Sequence, residues 1–449
     1  MAHHLPFGYR SEDELYQAGL NLGLEIPFRS DISPLLRSTT VGGRLVPNRL
    51  TVQPMEGADA FTNGSPSELT LRRYRRYAEG GSGMIWFEAT AVVPQGRSNP
   101  RQLMITSDNL EAFRTLLDNT RAAAHARFGK SHNIFCVLQL THSGRYSKPK
   151  GSPRPLVAAY NPYLDKLADE VHILSDEELG HLQDSFLDAA RLAYHAGFDA
   201  VDIKCCHGYL LNEILGAYSR EHSRYGKGFE SRTRFLTEVF YKIQNGAPDL
   251  LLSTRLSVFD GIPFPYGFGF AKDTPLDIDL TEVTALIRRL QLLGCVFFNI
   301  SLGNPYVKPH LGRPYDTPIR GSELPDEHPL EGVMRLIKVT GDLQKNFPDL
   351  PVIGTGYSWL RQFFPQVGAA VVARKEAAFI GLGRSSFAYP SAPRDLMEKG
   401  SLDANKVCLT CSKCSELMRG GRTTGCVVRD SEIYAAEYQK MSASGSSDA

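Results

Sequence analysis

Ala200-Val201-Asp202-Ile203-Lys204-Cys205-Cys206-His207-Gly208-Tyr209 hands an apolar run over to a set of proton-bearing side chains. The run from Phe198 to Ile203 is rich in β-formers and bounded by Gly197 and Gly208, so it reads as a short buried strand. Lys204, His207 and Tyr209 then follow within six positions. In a parallel α/β barrel, the carboxyl end of a strand is where catalytic groups gather. Taken alone, the stretch suits a satisfied core histidine beside a solvated lysine and tyrosine equally well. The flanking sequence separates the two.

Seven further strand-like runs surround it, at 50–55, 83–89, 133–140, 250–257, 295–301, 351–354 and 377–382. Most are separated by helical patterns at 67–79, 110–128, 175–195, 231–244, 280–293 and 330–347, with a shorter one after Tyr357. The 175–195 pattern opens with a capping box, Ser175 and Glu178. Eight β-then-α units with buried-type strands predict an α/β protein, a (β/α)8 TIM barrel carrying a C-terminal cysteine-cluster extension. A doubly wound sheet is disfavoured, because no Gly-x-Gly-x-x-Gly opens any of these helices.

The expected organisation is a lead-in at 1–47, a barrel at 48–400, a cysteine-rich segment at 401–430 and a partly disordered tail at 431–449. The lead-in holds a helical pattern at 12–22 and a Gly42-Gly43 turn, and is expected to close one end of the core. Three long loops, 141–161, 259–279 and 302–324, come after strands and should cover the catalytic face.

Composition narrows the function. A net charge of +1 over 449 residues gives no field to attract nucleic acid or an anionic membrane. No apolar run approaches the ~18 residues of a bilayer span. Residues 1–10 lack a basic segment followed by an apolar one, so no secretory signal is expected and the cytoplasm is the expected compartment. Of eight cysteines, Cys136, Cys205, Cys206 and Cys295 lie in or beside apolar runs, where a thiol packs as a small hydrophobe. The others form Cys408-x2-Cys411-x2-Cys414-x11-Cys426. Four thiolates can hold a tetrahedral zinc. Three tightly spaced cysteines plus one remote suit a 4Fe-4S cluster better than the two separated pairs of a zinc ribbon do.

Polar groups recur at the strand ends. The first run ends in Gln53-Pro54-Met55-Glu56-Gly57, the second in Glu88-Ala89-Thr90 and the third in Gln139-Leu140-Thr141-His142. Arg255 stands inside an otherwise apolar run, where an unpaired cation is costly to bury and an anionic ligand explains it. The last two runs end in Gly354-Thr355-Gly356 and Gly381-Leu382-Gly383-Arg384. Loops after the seventh and eighth strands are the usual phosphate site of a barrel.

With these residues together, residues 30–430 resemble the old yellow enzyme family of FMN-dependent NADH:flavin oxidoreductases. The resemblance is to its iron–sulfur branch, which contains 2,4-dienoyl-CoA reductase and trimethylamine dehydrogenase. It is carried by Pro47-Asn48-Arg49, Pro54-Met55, Glu88-Ala89-Thr90 with Gly96-Arg97, Gln139-x-x-His142-x-Gly144-Arg145, His207-Gly208-Tyr209, Arg232-x-Arg234-Phe235, Arg255 and Gly381-Leu382-Gly383-Arg384. The resemblance implies that Pro54, Met55, Ala89 and Gln139 line a flavin ring and that Arg255 lies by its N1/C2 carbonyl. It implies that Gly354, Gly356, Gly383 and Arg384 hold the FMN phosphate. His207 would bind a substrate carbonyl and Tyr209 would be the proton donor, while hydride passes from flavin N5 to an activated alkene. Cys408, Cys411, Cys414 and Cys426 would hold the cluster.

Two positions depart from the family pattern. Lys204 stands where many relatives carry His, and is expected to face the ligand, with pairing to a carboxylate as the alternative. Glu56 follows Met55, where relatives often have a small residue or Cys, so a carboxylate joins the flavin surroundings. The expected activity is reduction of an enone or enoyl thioester. Two alternatives remain: an oxidative dehydrogenase of the trimethylamine dehydrogenase type, and an FMN-dependent tRNA dihydrouridine synthase-like enzyme, which the net charge disfavours. No Rossmann fingerprint follows the cysteines, so electrons are expected from NAD(P)H over the flavin or, preferentially, from a partner protein through the cluster.

Overall fold

The computed structural model describes residues 4–165, 171–271, 274 and 277–444. Eight strands form its centre: β1 (Leu50–Val52), β2 (Met84–Ala91), β3 (Phe135–Thr141), β4 (Ala200–Ile203), β5 (Leu251–Ser257), β6 (Cys295–Ser301), β7 (Val352–Gly354) and β8 (Phe379–Leu382). They close into one barrel in chain order, every pairing parallel, with β8 against β1. The expected (β/α)8 barrel is the observed fold. Each strand falls inside or within two residues of its expected run. β1 stops early because Pro54 lacks a backbone donor, although the Gln53 N–H still reaches the Leu382 carbonyl at 2.9 Å.

Helices fill the connections where the periodicity put them, among them Glu68–Glu79, Leu110–Phe128, Asp176–Ala196 and Thr281–Leu292. Ser175 accepts from the Glu178 N–H at 3.1 Å while the Ser175 N–H donates to the Glu178 carboxylate at 2.7 Å, so the capping box is formed. A hairpin, Thr39–Val41 with Arg44–Val46, turns on Gly42 and Gly43 at φ 53° and 78°. Its Val41 and Val46 pack with Met84, Trp86, Phe135, Val137 and Phe297, plugging the amino-terminal end of the barrel. The opposite end is left to the loops.

One expectation needs correcting. Residues 431–444, read as tail, are a helix, Ser431–Ser444. Its anchors are Tyr434, buried against Gly425, and Asp430 just before it, which accepts from both Arg72 and Arg76 of the helix Glu68–Glu79. Residues 445–449, the end of the Ser-rich low-complexity stretch that begins at Ser442, lie outside the described residues. Among the described residues no helix is long and apolar enough to cross a membrane.

Candidate active site

A cleft opens at the carboxyl end of the barrel. Gln53, Pro54, Met55 and Glu56 enter it after β1, Lys204, His207 and Tyr209 after β4, and Arg255 from β5. Gly356 follows β7, with Gly381 from β8 and Gly383 and Arg384 just beyond it. Most of the expected site residues thus converge. Ala89, Gln139 and Gly354 do not line the cleft. The Ala89 carbonyl accepts from Gln102, Gln139 is turned to Asp202, and Gly354 lies where a Cβ would fall 2.9 Å from the Tyr357 hydroxyl.

Tyr209 donates its hydroxyl hydrogen bond to Glu56 Oε1 at 3.0 Å, and Ser98 donates to Glu56 Oε2 at 2.8 Å. Lys204 Nζ lies 3.6 Å from Glu56 Oε1 and also 3.6 Å from the centre of the Tyr209 ring. Lys204 thus pairs with a carboxylate and also lines the cleft. Burial pushes its pKa down, with Glu56 opposing. Burial, then Glu56, pushes the Tyr209 phenol well up, so its proton is retained. His207, held at φ 66°, places Nε2 3.0 Å from Ser301 Oγ. Burial, then the charges of Arg255 and Lys204, pushes its pKa well down and keeps the ring neutral.

Beneath these groups lies a buried polar floor. Asp202 accepts from Trp86 Nε1 at 2.8 Å, Gln139 Nε2 at 2.6 Å and the Arg255 backbone N–H at 2.5 Å. Burial pushes its carboxyl up to about 6 against those donors. Gln53 and Asn299 exchange two amide hydrogen bonds at 3.1 and 2.7 Å. Arg255 Nε and Arg384 Nη1 are buried without partners, an arrangement that a ligand acceptor would relieve.

Sequence reasoning missed one wall of the cleft. Tyr306 and Arg313 come from the loop after β6, while Ser415, Met418 and Arg419 come from the short helix Lys413–Arg419 inside the cysteine segment. Among the described residues the cleft is consequently lined by five cationic side chains, Lys204, Arg255, Arg313, Arg384 and Arg419, against the one carboxylate of Glu56. Burial and then the Arg384 charge push Arg313 down to about 9. The only sequence signal was the length of the loop. Arg419 carried none beyond its place among the cysteines.

The four tail cysteines line a second, smaller cavity that shares Arg384 with the cleft. Backbone N–H groups of Thr410 and Arg429 donate to Cys408 Sγ and Cys426 Sγ at 3.4 and 3.3 Å. Among the described residues, no three His, Cys, Asp or Glu converge closely enough to hold a single metal ion.

His142 stands just after β3, against Gly96. The Gly144 N–H donates to its Nδ1 at 3.1 Å, and burial pushes its pKa down from 6.5 to about 4. The stability owed to the neutral ring is complete above about 6.5 and is lost as pH falls towards 4. Between pH 7 and 5 this amounts to about 2 kcal/mol. His142→Gln should remove that share of the pH dependence, read as the difference in urea midpoints between the two pH values. An unchanged difference would mean the ring protonates freely in the folded state.

Residues 34–266 match the NADH:flavin oxidoreductase / NADH oxidase family. The chain belongs to that family. The NADPH dehydrogenase of Halalkalibacterium halodurans is 32% identical over 212 residues, 47% of this chain and 59% of that one. The NADH oxidase of Thermoanaerobacter brockii is 26% identical over 384 residues, 83% of this chain and 52% of its own. This chain thus spans only about half to 60% of such relatives. Among solved structures, a 2-naphthoyl-CoA reductase complex superposes with TM-score 0.71 at 19% identity, covering 88% of this chain and 57% of that one. An old yellow enzyme homologue from Zymomonas mobilis gives 0.61 at 20%, covering 88% and 98%. At those identities they share the fold.

Proposed function

We propose that this chain is an FMN-dependent oxidoreductase of the iron–sulfur branch that reduces an activated carbon–carbon double bond. The observation that carries the reading is the convergence on one cleft of a proton-retaining Tyr209, a neutral His207 and two arginines, Arg255 and Arg384, that each keep one buried nitrogen unpartnered. The fit to FMN rests on the same cleft. Arg255 would take the ring carbonyl edge, and Arg384 with Gly356 and Gly383 the phosphate. Gly381 is needed for depth, since a Cβ there would fall 2.0 Å from Gln53 Nε2. Bound FMN would supply the two-electron hydride chemistry. The chain's own part is to hold an electron-withdrawing group at His207 and to deliver one proton from Tyr209 Oη. The division into lead-in, barrel, cysteine segment and C-terminal helix follows this reading, as does a cytoplasmic setting.

Cys408, Cys411, Cys414 and Cys426 would hold a 4Fe-4S cluster. Their shared cavity, the N–H donors to two of the sulfurs and the adjacent cations Arg384 and Arg313 support a thiolate-bound anionic group. Electrons would reach the cleft from NAD(P)H or from a partner protein through the cysteines. Rapid mixing with NADH and NADPH separates these, because fast bleaching by either removes the need for a partner.

The first experiment is anaerobic purification, with an absorbance spectrum and FMN, iron and sulfide quantified. Flavin with about four irons per chain is expected; absence of flavin would overturn the reading. Cys411→Ser should lose most of the iron while keeping the flavin. Full iron content in that variant would remove Cys411 from the ligand set.

A further inference from the structure

The cationic wall of the cleft carries more charge than the cofactors proposed above account for. Arg255 is buried in β5 beside Asp202, lines the cleft and is the residue proposed above for the flavin's carbonyl edge. Arg384 donates to the Pro314 carbonyl at 2.5 Å and stands close enough to Cys408 and Cys414 to act on their thiols. Arg313 donates to Ser415 Oγ and acts on Cys414. These three have a phosphate, a flavin edge or a thiolate group to answer.

Arg419 has none. Its Nη2 donates to the Pro305 carbonyl, and among the described residues the charged partners acting on it are tyrosines, Tyr306 first, with no carboxylate among them. Its guanidinium instead sits 5.4 Å from the centre of the Tyr306 ring. Tyr306 stacks on Tyr146 with centroids 3.6 Å apart, and Tyr146 lies 6.1 Å from Tyr209. The order along this wall is therefore proton donor, aromatic surface, cation. Met418 and Pro305 extend its apolar part. A ligand whose double bond meets Tyr209 would lay its body on the aromatic surface and present its far end to Arg419.

We propose that Arg419 binds an anionic group at the far end of the electron-accepting substrate, so that the substrate class is an activated alkene bearing a remote carboxylate. The assignment rests on the flavin reading of the cleft. It makes the cysteine-rich segment part of the specificity pocket as well as a redox element. A guanidinium on a rigid wall suits carboxylate geometry, and such charge-assisted pairs are the stronger hydrogen bonds. The phosphates of NADPH offer the same charge, so the test separates the two sources.

The test titrates oxidised holoenzyme, without reductant, with 4-(3-oxobut-1-enyl)benzoate and its neutral carboxamide, following the flavin spectrum. The wild type should bind the carboxylate about ten-fold more tightly than the amide. Arg419→Gln should bring the ratio to about one, and Arg419→Lys should leave an intermediate preference. Gln and Lys can both still donate to Pro305, and the Lys variant carries the test if the Gln variant does not fold. Equal binding by wild type, or a preference that survives Arg419→Gln, would overturn the proposal. So would a variant that weakens only an unreactive tetrahydro-NADPH, since the anion would then belong to the donor. Holoenzyme without flavin would remove the reading of the cleft as well, whereas flavin with equal binding removes this inference alone.

Discussion

Tyr209→Phe is expected to slow alkene reduction by about 10²–10⁴-fold, the range a positioned general acid contributes. Flavin content should stay unchanged, because the hydroxyl meets Glu56 and Tyr306 and none of the glycines proposed to hold the phosphate. Tyr209 keeps its proton through burial and the Glu56 charge, and Lys204 over the ring would stabilise the phenolate left by the proposed proton transfer. Glu56, bridged by Ser98 and Lys204, orients the phenol. Removing only the oxygen should therefore lower the single-turnover rate of the reduced enzyme with an enone and leave ligand affinity nearly constant. A full wild-type rate for Tyr209→Phe would transfer the role of acid to Lys204 or solvent.

The barrel was legible because its strands are short, apolar and bounded by glycine or proline, as at Gly197-Phe198 and Gln53-Pro54. A parallel strand buried on both faces shows itself by composition alone. The residues after those strands were legible for the same reason, since a parallel barrel turns all of its carboxyl strand ends to one face. Pairings between distant loops left no periodic signal. Nothing local to Glu56 announces Lys204, and nothing near the cysteines announces that Met418 and Arg419 would roof the cleft. The helical pattern at 67–79 gave no sign of which of its arginines is buried, and in the helix Glu68–Glu79 it is Arg73 that turns inward. The C-terminal helix was hidden by weak amphipathicity and by a low-complexity sequence just beyond it. Its order comes from Asp430 and Tyr434, which dock onto the barrel.

Arg73→Ala is expected to cost about 3–5 kcal/mol of stability, as breaking a buried ion pair typically does. Arg73 is 4% exposed and bonds both Asp59 and Glu88. Those carboxylates have further donors, Thr70 Oγ1 to Asp59 at 2.8 Å and the Gly57 N–H to Glu88 at 2.7 Å, but no second cation among the described residues. Burial pushes Glu88 up to about 7 even with Arg73 pulling down. Without the guanidinium, the folded pKa of Glu88, already raised by burial, should climb further. A carboxyl raised in the folded state loses stability as pH rises from its unfolded pKa to its folded one, so wild type and variant should fall together up to about 7 and the variant's deficit should widen from there towards pH 8. Lysine cannot span both carboxylates, and Arg73→Lys should recover only part of the loss. The damage should also reach the chemistry. Gly57 packs on the guanidinium, where a Cβ would fall 2.2 Å from Nη1, and its carbonyl accepts from the Thr424 N–H at 2.7 Å. Gly57 follows Glu56, and Thr424 precedes Cys426 by two residues. Arg73 thus supports the loop carrying Glu56 and the seat of the cysteine segment together. Urea unfolding at pH 5 and pH 8 measures the cost, and a loss below about 1 kcal/mol at both would mean that water enters and solvates the carboxylates.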